Sequence, residues 1–226
     1  MRGIGDCNSR QSQVHKCDRS RPFGSANRAA AVRLSRELMR VEYARMAETH
    51  VALLRGINVG KAKRVAMADL REVVAGLGYR DVRTLLNSGN VVFTASGRSV
   101  VTDVAARIEQ AVATRLNVTS RVTVLTAQEL RRAIEENPLL DIAKEPSRLF
   151  VAVLASAAHR RRLEPLTKTD WSPELLAIGA RVAYIWCPDG LLASRLPEAV
   201  GRALGDAVTT RNWATMSKLH VLVEGK

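Results

Sequence analysis

The sequence has little aromatic character, few cysteines, a shortage of acidic charge and no long apolar run. Phe, Trp and Tyr make up 4% of 226 residues, so the core has to be assembled mainly from Val, Leu, Ile and Ala. Three cysteines, Cys7, Cys17 and Cys187, do not make a disulfide framework. Cys7, His15 and Cys17 offer metal-ligand atoms, but no second ligand pair follows at zinc-site spacing, so no metal is assigned. Cys187 ends an apolar stretch and reads as a small core residue. No apolar run approaches the ~18 residues that span a bilayer. We therefore expect a soluble, cytoplasmic protein with no membrane partner. HExxH, GxSxG and P-loop patterns and the dinucleotide fingerprint are all missing, so the letters assign neither a catalytic residue nor a cofactor.

What is present is positive charge. Thirty-five Lys and Arg face 22 Asp and Glu, a formal charge of +13. Such an excess suits polyanions, either nucleic acid or phosphorylated ligands. It also suits a basic surface with a basic tail, and much of the excess lies before Met46. Hydrophobic residues make up 46%, the share of a globular protein.

Residues 1–45 form a basic N-terminal extension, disordered or loosely helical by composition. Met46 is expected as the natural start, since the first good strand begins a few residues later. His50–Leu54 reads as a strand buried on both faces. Met67, Leu70, Val73, Val74 and Leu77 recur at helical spacing, and Gly78 should end that helix. Val82–Leu86 and Val91–Phe93 form a hairpin about the turn Asn87-Ser88-Gly89-Asn90. A helix follows over about Val100–Leu116, capped by Ser99 or Thr102, and then a strand at Val122–Leu125. Strand, helix, strand, strand, helix, strand is the split βαβ, ferredoxin-like order. Thr126 and Glu129 make a capping box for the next helix, which Asn137-Pro138 stops. Beyond a connector the order repeats. Strands fall at Arg148–Leu154, Leu175–Ile178, Val182–Trp186 and from Val208. Helices are expected over Ala158–Leu166, Ser194–Leu204 and Trp213–Leu222. The predicted fold is α+β, two tandem ferredoxin-like (βαββαβ) halves at 46–137 and 138–226, with helices on one face of each antiparallel sheet.

Three stretches bear chemistry. In Arg55-Gly56-Ile57-Asn58-Val59-Gly60, glycines allow close backbone approach, and consecutive amides can form an anion-binding nest. Arg55 or the Lys61–Arg64 run would add charge-assisted contacts. The other reading is a strand-to-helix turn that merely needs glycine. Asn87, Ser88 and Asn90 offer uncharged hydrogen-bonding groups, or simply close their own hairpin. We expect that turn at the end of the sheet opposite to the first loop, so the two share a site only if the second half folds over. In Arg211-Asn212-Trp213, Arg211 can grip an anion and Trp213 can stack on a base. Alternatively Trp213 packs into the core while Arg211 closes an ion pair.

The first loop with Met67-Ala68-Asp69-Leu70-Arg71, then Val82-Arg83-Thr84 with Asn87-Ser88-Gly89-Asn90-Val91-Val92-Phe93, and Thr210-Arg211-Asn212-Trp213 with Lys218-Leu219, together resemble the bacterial domain-of-unknown-function family 1697. The resemblance runs from about Thr49 to Val223. It implies an α+β fold of two ferredoxin-like halves and brings no activity. The sequence departs from the family pattern at Lys61, where a second glycine is usual, at Ala66, where a proline is, and at Leu85, where an aromatic is common.

The expectation from sequence is an anion-binding protein whose ligand is nucleic acid or a nucleotide-like phosphate. Arg55, Gly56, Asn58, Gly60, Asn87, Ser88, Asn90, Arg211, Asn212 and Trp213 would form the site, with Arg55 and Arg211 converging on one cleft. An enzyme acting on a small phosphorylated or carboxylated metabolite and a structural homodimer paired through a sheet edge are the alternatives.

Overall fold

The computed structural model describes residues 47–59, 64–96 and 100–225. The N-terminal extension, Gly60 and Lys61 lie outside them. The first half runs β1 (Glu48–Leu54), α1 (Met67–Ala75), β2 (Arg80–Leu85), β3 (Asn90–Ala95), α2 (Val101–Leu116), β4 (Val122–Thr126). Helix α3 (Ala127–Glu135) leads into the second half. That half runs β5 (Leu149–Leu154), a 3₁₀ helix (Ala157–Lys168), β6 (Leu175–Ile178), β7 (Val182–Trp186), α4 (Leu196–Leu204), β8 (Val208–Asn212), α5 (Trp213–Val223). Each half builds one four-stranded sheet, ordered β2-β3-β1-β4 and β6-β7-β5-β8. The two orders are equivalent, which is the ferredoxin-like arrangement given twice.

Side-chain alternation along β1 explains its unbroken apolar run. Ala52 and Leu54 point to a cluster under α1 and α2 with Val91, Phe93, Val122 and Val124. Val51 and Leu53 point the other way, into a cluster shared with Val151, Val153 and Tyr184 of the second sheet. Leu130 and Ala133 of α3 and Met216 and Leu219 of α5 complete this central layer. Ala152 and Leu154 of β5 then face a third cluster with Leu163, Val200 and Leu204. Helices thus cover one face of each sheet, and the two remaining faces are buried in one common core. A strand buried on both sides has no polar positions to alternate with. The edge strands β4 and β8 meet through buried hydroxyls, Thr123 Oγ1 to Thr209 Oγ1 at 3.0 Å. Tyr184 donates to the Ala133 carbonyl at 3.0 Å across the central layer, and burial pushes its phenol up to about 12.

Several local expectations need correction. The helix expected over Ala158–Leu166 is a 3₁₀ helix, Ala157–Lys168, with Pro165 inside it; proline removes an amide donor that an α-helix needs there. Helix α1 stops at Ala75 with Gly76 as its C-cap, and Gly78 turns the chain two residues later at φ 87°. At the start of α2 the N-cap is Val100, which makes no side-chain cap, so Thr102 does not serve; Ser99 lies outside the described residues. The capping box at Thr126 and Glu129 is present in both directions.

Candidate functional site

The first loop leaves β1 through two left-handed residues, Gly56 at φ 67° and Asn58 at φ 55°. Asparagine tolerates that conformation better than most residues because its short amide bonds nearby backbone. Here the amide is fully used. Asn58 Oδ1 accepts from Val65 N–H at 2.8 Å, and Nδ2 donates to the Val65 and Asn87 carbonyls at 2.9 and 2.8 Å. Asn58 therefore ties the far side of its own loop to the β2–β3 turn.

That contact overturns the expectation that the two loops lie at opposite ends of the sheet. Strands β1 and β3 run antiparallel with Leu53 opposite Asn90, so the end of β1 adjoins the beginning of β3. The Leu54 N–H bonds the Gly89 carbonyl at 2.8 Å. The approach is close enough to require glycine. A Cβ at Gly89, whose φ is 72°, would stand 2.6 Å from Ile57 Cδ1 and 2.8 Å from Leu54 Cβ.

Asn90 is fully buried beside it. Its Nδ2 donates to the Leu85 carbonyl and to Ser88 Oγ, both at 2.9 Å, and its Oδ1 accepts from Arg211 Nε at 2.6 Å. Arg211 reaches this node from β8 in the other half. Its Nη2 donates to the Leu54 carbonyl at 2.7 Å and to the Ser88 carbonyl at 2.9 Å, while Nη1 donates to the Thr210 carbonyl at 2.9 Å. No carboxylate lies within ion-pair distance among the described residues. Burial lowers its guanidinium to about 10, which leaves a cation at neutral pH. The three stretches singled out in the sequence do meet, and Asn58, Asn87, Ser88, Asn90 and Arg211 form one connected polar node.

The other predicted residues go elsewhere. Arg55 turns away from Arg211 and donates through Nη1 to the Gly205 carbonyl at 2.6 Å and Asp206 Oδ1 at 3.1 Å. With Gly56 it lines an open groove of about 760 Å³ that Arg211 does not line. The expected convergence of the two guanidinium groups is not made, because Arg55 is drawn to Gly205 and Asp206 while Arg211 is held by Asn90 and the Leu54 and Ser88 carbonyls. Arg121, the other cation in that groove, pairs with Glu109 at 3.3 Å. Each arginine there has its carboxylate, which leaves no net charge to attract an anion. Asn212 caps α5, its Oδ1 accepting from Thr215 N–H at 3.0 Å and Thr215 Oγ1 at 2.7 Å. Trp213 packs against the central core. Gly60 lies outside the described residues.

A second groove, about 500 Å³, adjoins the polar node. It is lined by Asn58, Arg64, Val65, Ala66, Met67 and Asn87. Ala66 is the N-cap of α1 and has no side chain to bond the first-turn amides, which leaves those donors to solvent or a ligand. Arg64 is exposed and makes no hydrogen bond or ion pair among the described residues. Elsewhere Arg181 bridges the halves, donating to Glu129 at 2.7 Å and to the Val124 and Leu154 carbonyls at 3.2 and 2.9 Å. Sequence reasoning missed that bridge, for Arg181 and Glu129 are far apart along the chain, and the capping box that singled out Glu129 says nothing of Arg181. Every aromatic side chain of the described residues sits in a core cluster. With both sheet faces covered, the sheets display no stacking platform for a single strand. Among the described residues no three His, Cys, Asp or Glu group to hold a metal ion, and no helix is long and apolar enough to cross a membrane.

Among solved structures, the chain resembles the conserved bacterial protein SP0830 from Streptococcus pneumoniae, at 19% identity and a TM-score of 0.62. The likeness covers 78% of this chain and 99% of that one. At this identity the likeness shows a shared fold. No curated protein matches the chain. The profile of a family described as "Protein of unknown function (DUF1697)" matches residues 47–184, which takes in the first two motif stretches and ends before Arg211. The chain belongs to the DUF1697 family.

Proposed function

We propose that this protein binds a small anionic ligand, a nucleotide-like phosphate, in the groove lined by Asn58, Arg64, Met67 and Asn87. The observation that carries the reading is a pair of arginines, Arg64 and Arg211, that form no ion pair among the described residues. Arg64 stands exposed and unpaired among the described residues, and the Arg211 cation behind Ser88 and Asn90 faces only neutral acceptors. The first turn of α1 has no side-chain cap, so its amides are open to a ligand, while Asp69 in that turn offsets part of the positive end of the helix dipole. By contrast, the larger groove at Arg55 holds two arginines already matched by Asp206 and Glu109. A cytoplasmic setting goes with the reading, and Cys187, a buried free thiol, suits a reducing compartment.

Thermal unfolding in a panel of nucleotides and phosphorylated metabolites tests it. A ligand at about 100 times its Kd adds about 2.7 kcal/mol, which raises the midpoint of a chain this size by about 5–10 °C. Arg64→Ala should remove the shift and leave the unliganded midpoint in place. A shift that survives Arg64→Ala and vanishes in Arg55→Ala would move the site to the other groove. No shift with any member of the panel would end the reading.

A further inference from the structure

A different surface carries a separate inference. The 3₁₀ helix Ala157–Lys168 bears three consecutive arginines, Arg160, Arg161 and Arg162, all exposed. None makes a hydrogen bond or ion pair among the described residues, whereas Arg55, Arg121, Arg131, Arg181 and Arg202 each reach a carboxylate. The helix that presents them is held firmly. Leu163 is fully buried and Leu166 packs against the same cluster. Residues three apart share a face of a 3₁₀ helix, so both leucines turn inward. Its start is pinned by His159 Nδ1, which lies 3.2 Å from the Ser156 N–H and 2.9 Å from the Ser156 hydroxyl. Arg162 falls in line with Lys168, also exposed, two turns on. At a rise of about 2.0 Å per residue the two charges are about 12 Å apart along the axis. Glu164 is the only carboxylate within the segment.

We infer that the outward side of this segment, with Arg161, Arg162 and Lys168, docks on the phosphate backbone of duplex nucleic acid. Guanidinium groups match phosphate geometry. Consecutive residues of a 3₁₀ helix point about 120° apart, so Arg160 lies on the side of Leu163 while Arg161 and Arg162 point outward, and these two, with Lys168, would neutralise phosphates without reading base sequence. An anionic membrane is the competing polyanion. Amphipathic elements that bind membranes keep apolar side chains on the exposed side to insert, and here both leucines are committed to the core. The inference does not depend on the small-ligand groove, which lies in the first half.

Anisotropy of a labelled mixed-sequence DNA duplex, titrated with the full chain across a salt series from about 50 mM, reads the interaction directly. Each phosphate neutralised contributes about −0.9 to the slope of log Kobs against log salt. Arg160→Ala/Arg161→Ala/Arg162→Ala should therefore flatten the slope by about 1.8, the share of the two outward arginines. The corresponding triple Lys variant should restore most of it. Both variants should keep the wild-type circular dichroism, since the altered side chains are exposed. No duplex binding at low salt, or an unchanged slope in the Ala variant, would overturn the proposal. So would a variant that loses binding to phosphatidylserine vesicles yet holds the duplex as before.

Discussion

Arg211 donates four hydrogen bonds to protein acceptors and forms no ion pair among the described residues. It ties the last strand of the second half to the end of β1 and the β2–β3 turn of the first. Arg211→Met would leave the Leu54 and Ser88 carbonyls and Asn90 Oδ1 without that donor. Each orphaned buried acceptor costs about 1–3 kcal/mol, partly offset by no longer burying a charge. We expect a net loss of about 3 kcal/mol in urea unfolding. Arg211→Lys should recover only part of it, because an ammonium cannot reproduce the planar fork. A loss below about 1 kcal/mol would mean that water replaces the guanidinium and that the node does not hold the halves. At this scale the sequence singled out Asn58, Asn87, Ser88, Asn90 and Arg211, which the fold brings into one polar node, and left their role open. Arginine, asparagine and serine next to glycine serve an anion or a backbone carbonyl equally well, and only the position of the partner decides between them.

Element by element, most of the chain was readable because its signals are local. The turn at Asn87–Asn90, the strands around it and the box at Thr126 rest on neighbours in sequence. Thr126 accepts from Glu129 N–H at 3.1 Å, and Glu129 Oε2 accepts from Thr126 N–H at 3.0 Å. Thr126→Ala should cost about 1 kcal/mol of stability, measured as a lower denaturation midpoint with unchanged slope. The same Glu129 also holds Arg181 through its other oxygen, at 2.7 Å. If Thr126→Ala costs well over 2 kcal/mol, the cap is coupled to the bridge between halves. The helix near Ala158–Leu166 was legible, but its 3₁₀ type was not, because the leucine spacing fits both periods over so short a run. Pro165 and its missing amide were the clue. The end of the sheet to which the β2–β3 turn belongs follows from strand direction, and strand direction follows from the pairing of β1 with β3.

For the whole molecule, the decisive feature is the central layer. Val51, Leu53, Val92 and Leu125 of the first sheet are buried against the second. Burying one such side chain contributes roughly 1.5–3 kcal/mol, so either half alone would expose more apolar surface than a small domain can bear. A fragment of residues 46–137 should therefore lack a cooperative transition and bind a hydrophobic dye, while the longer chain unfolds in one step by calorimetry. Two resolved transitions in the full chain, or sharp amide dispersion from the fragment, would show that the halves fold independently.

The sequence by itself determined the elements, their doubled order and the family, because periodicity, caps and turn residues act between near neighbours. Tertiary structure alone decided that Arg211 reaches Leu54 and Asn90 while Arg55 turns to Asp206. It also decided which charges remain unmatched at the surface. Those outcomes depend on how two sheets pack face to face, and the packing brings together residues that nothing in the linear chain relates.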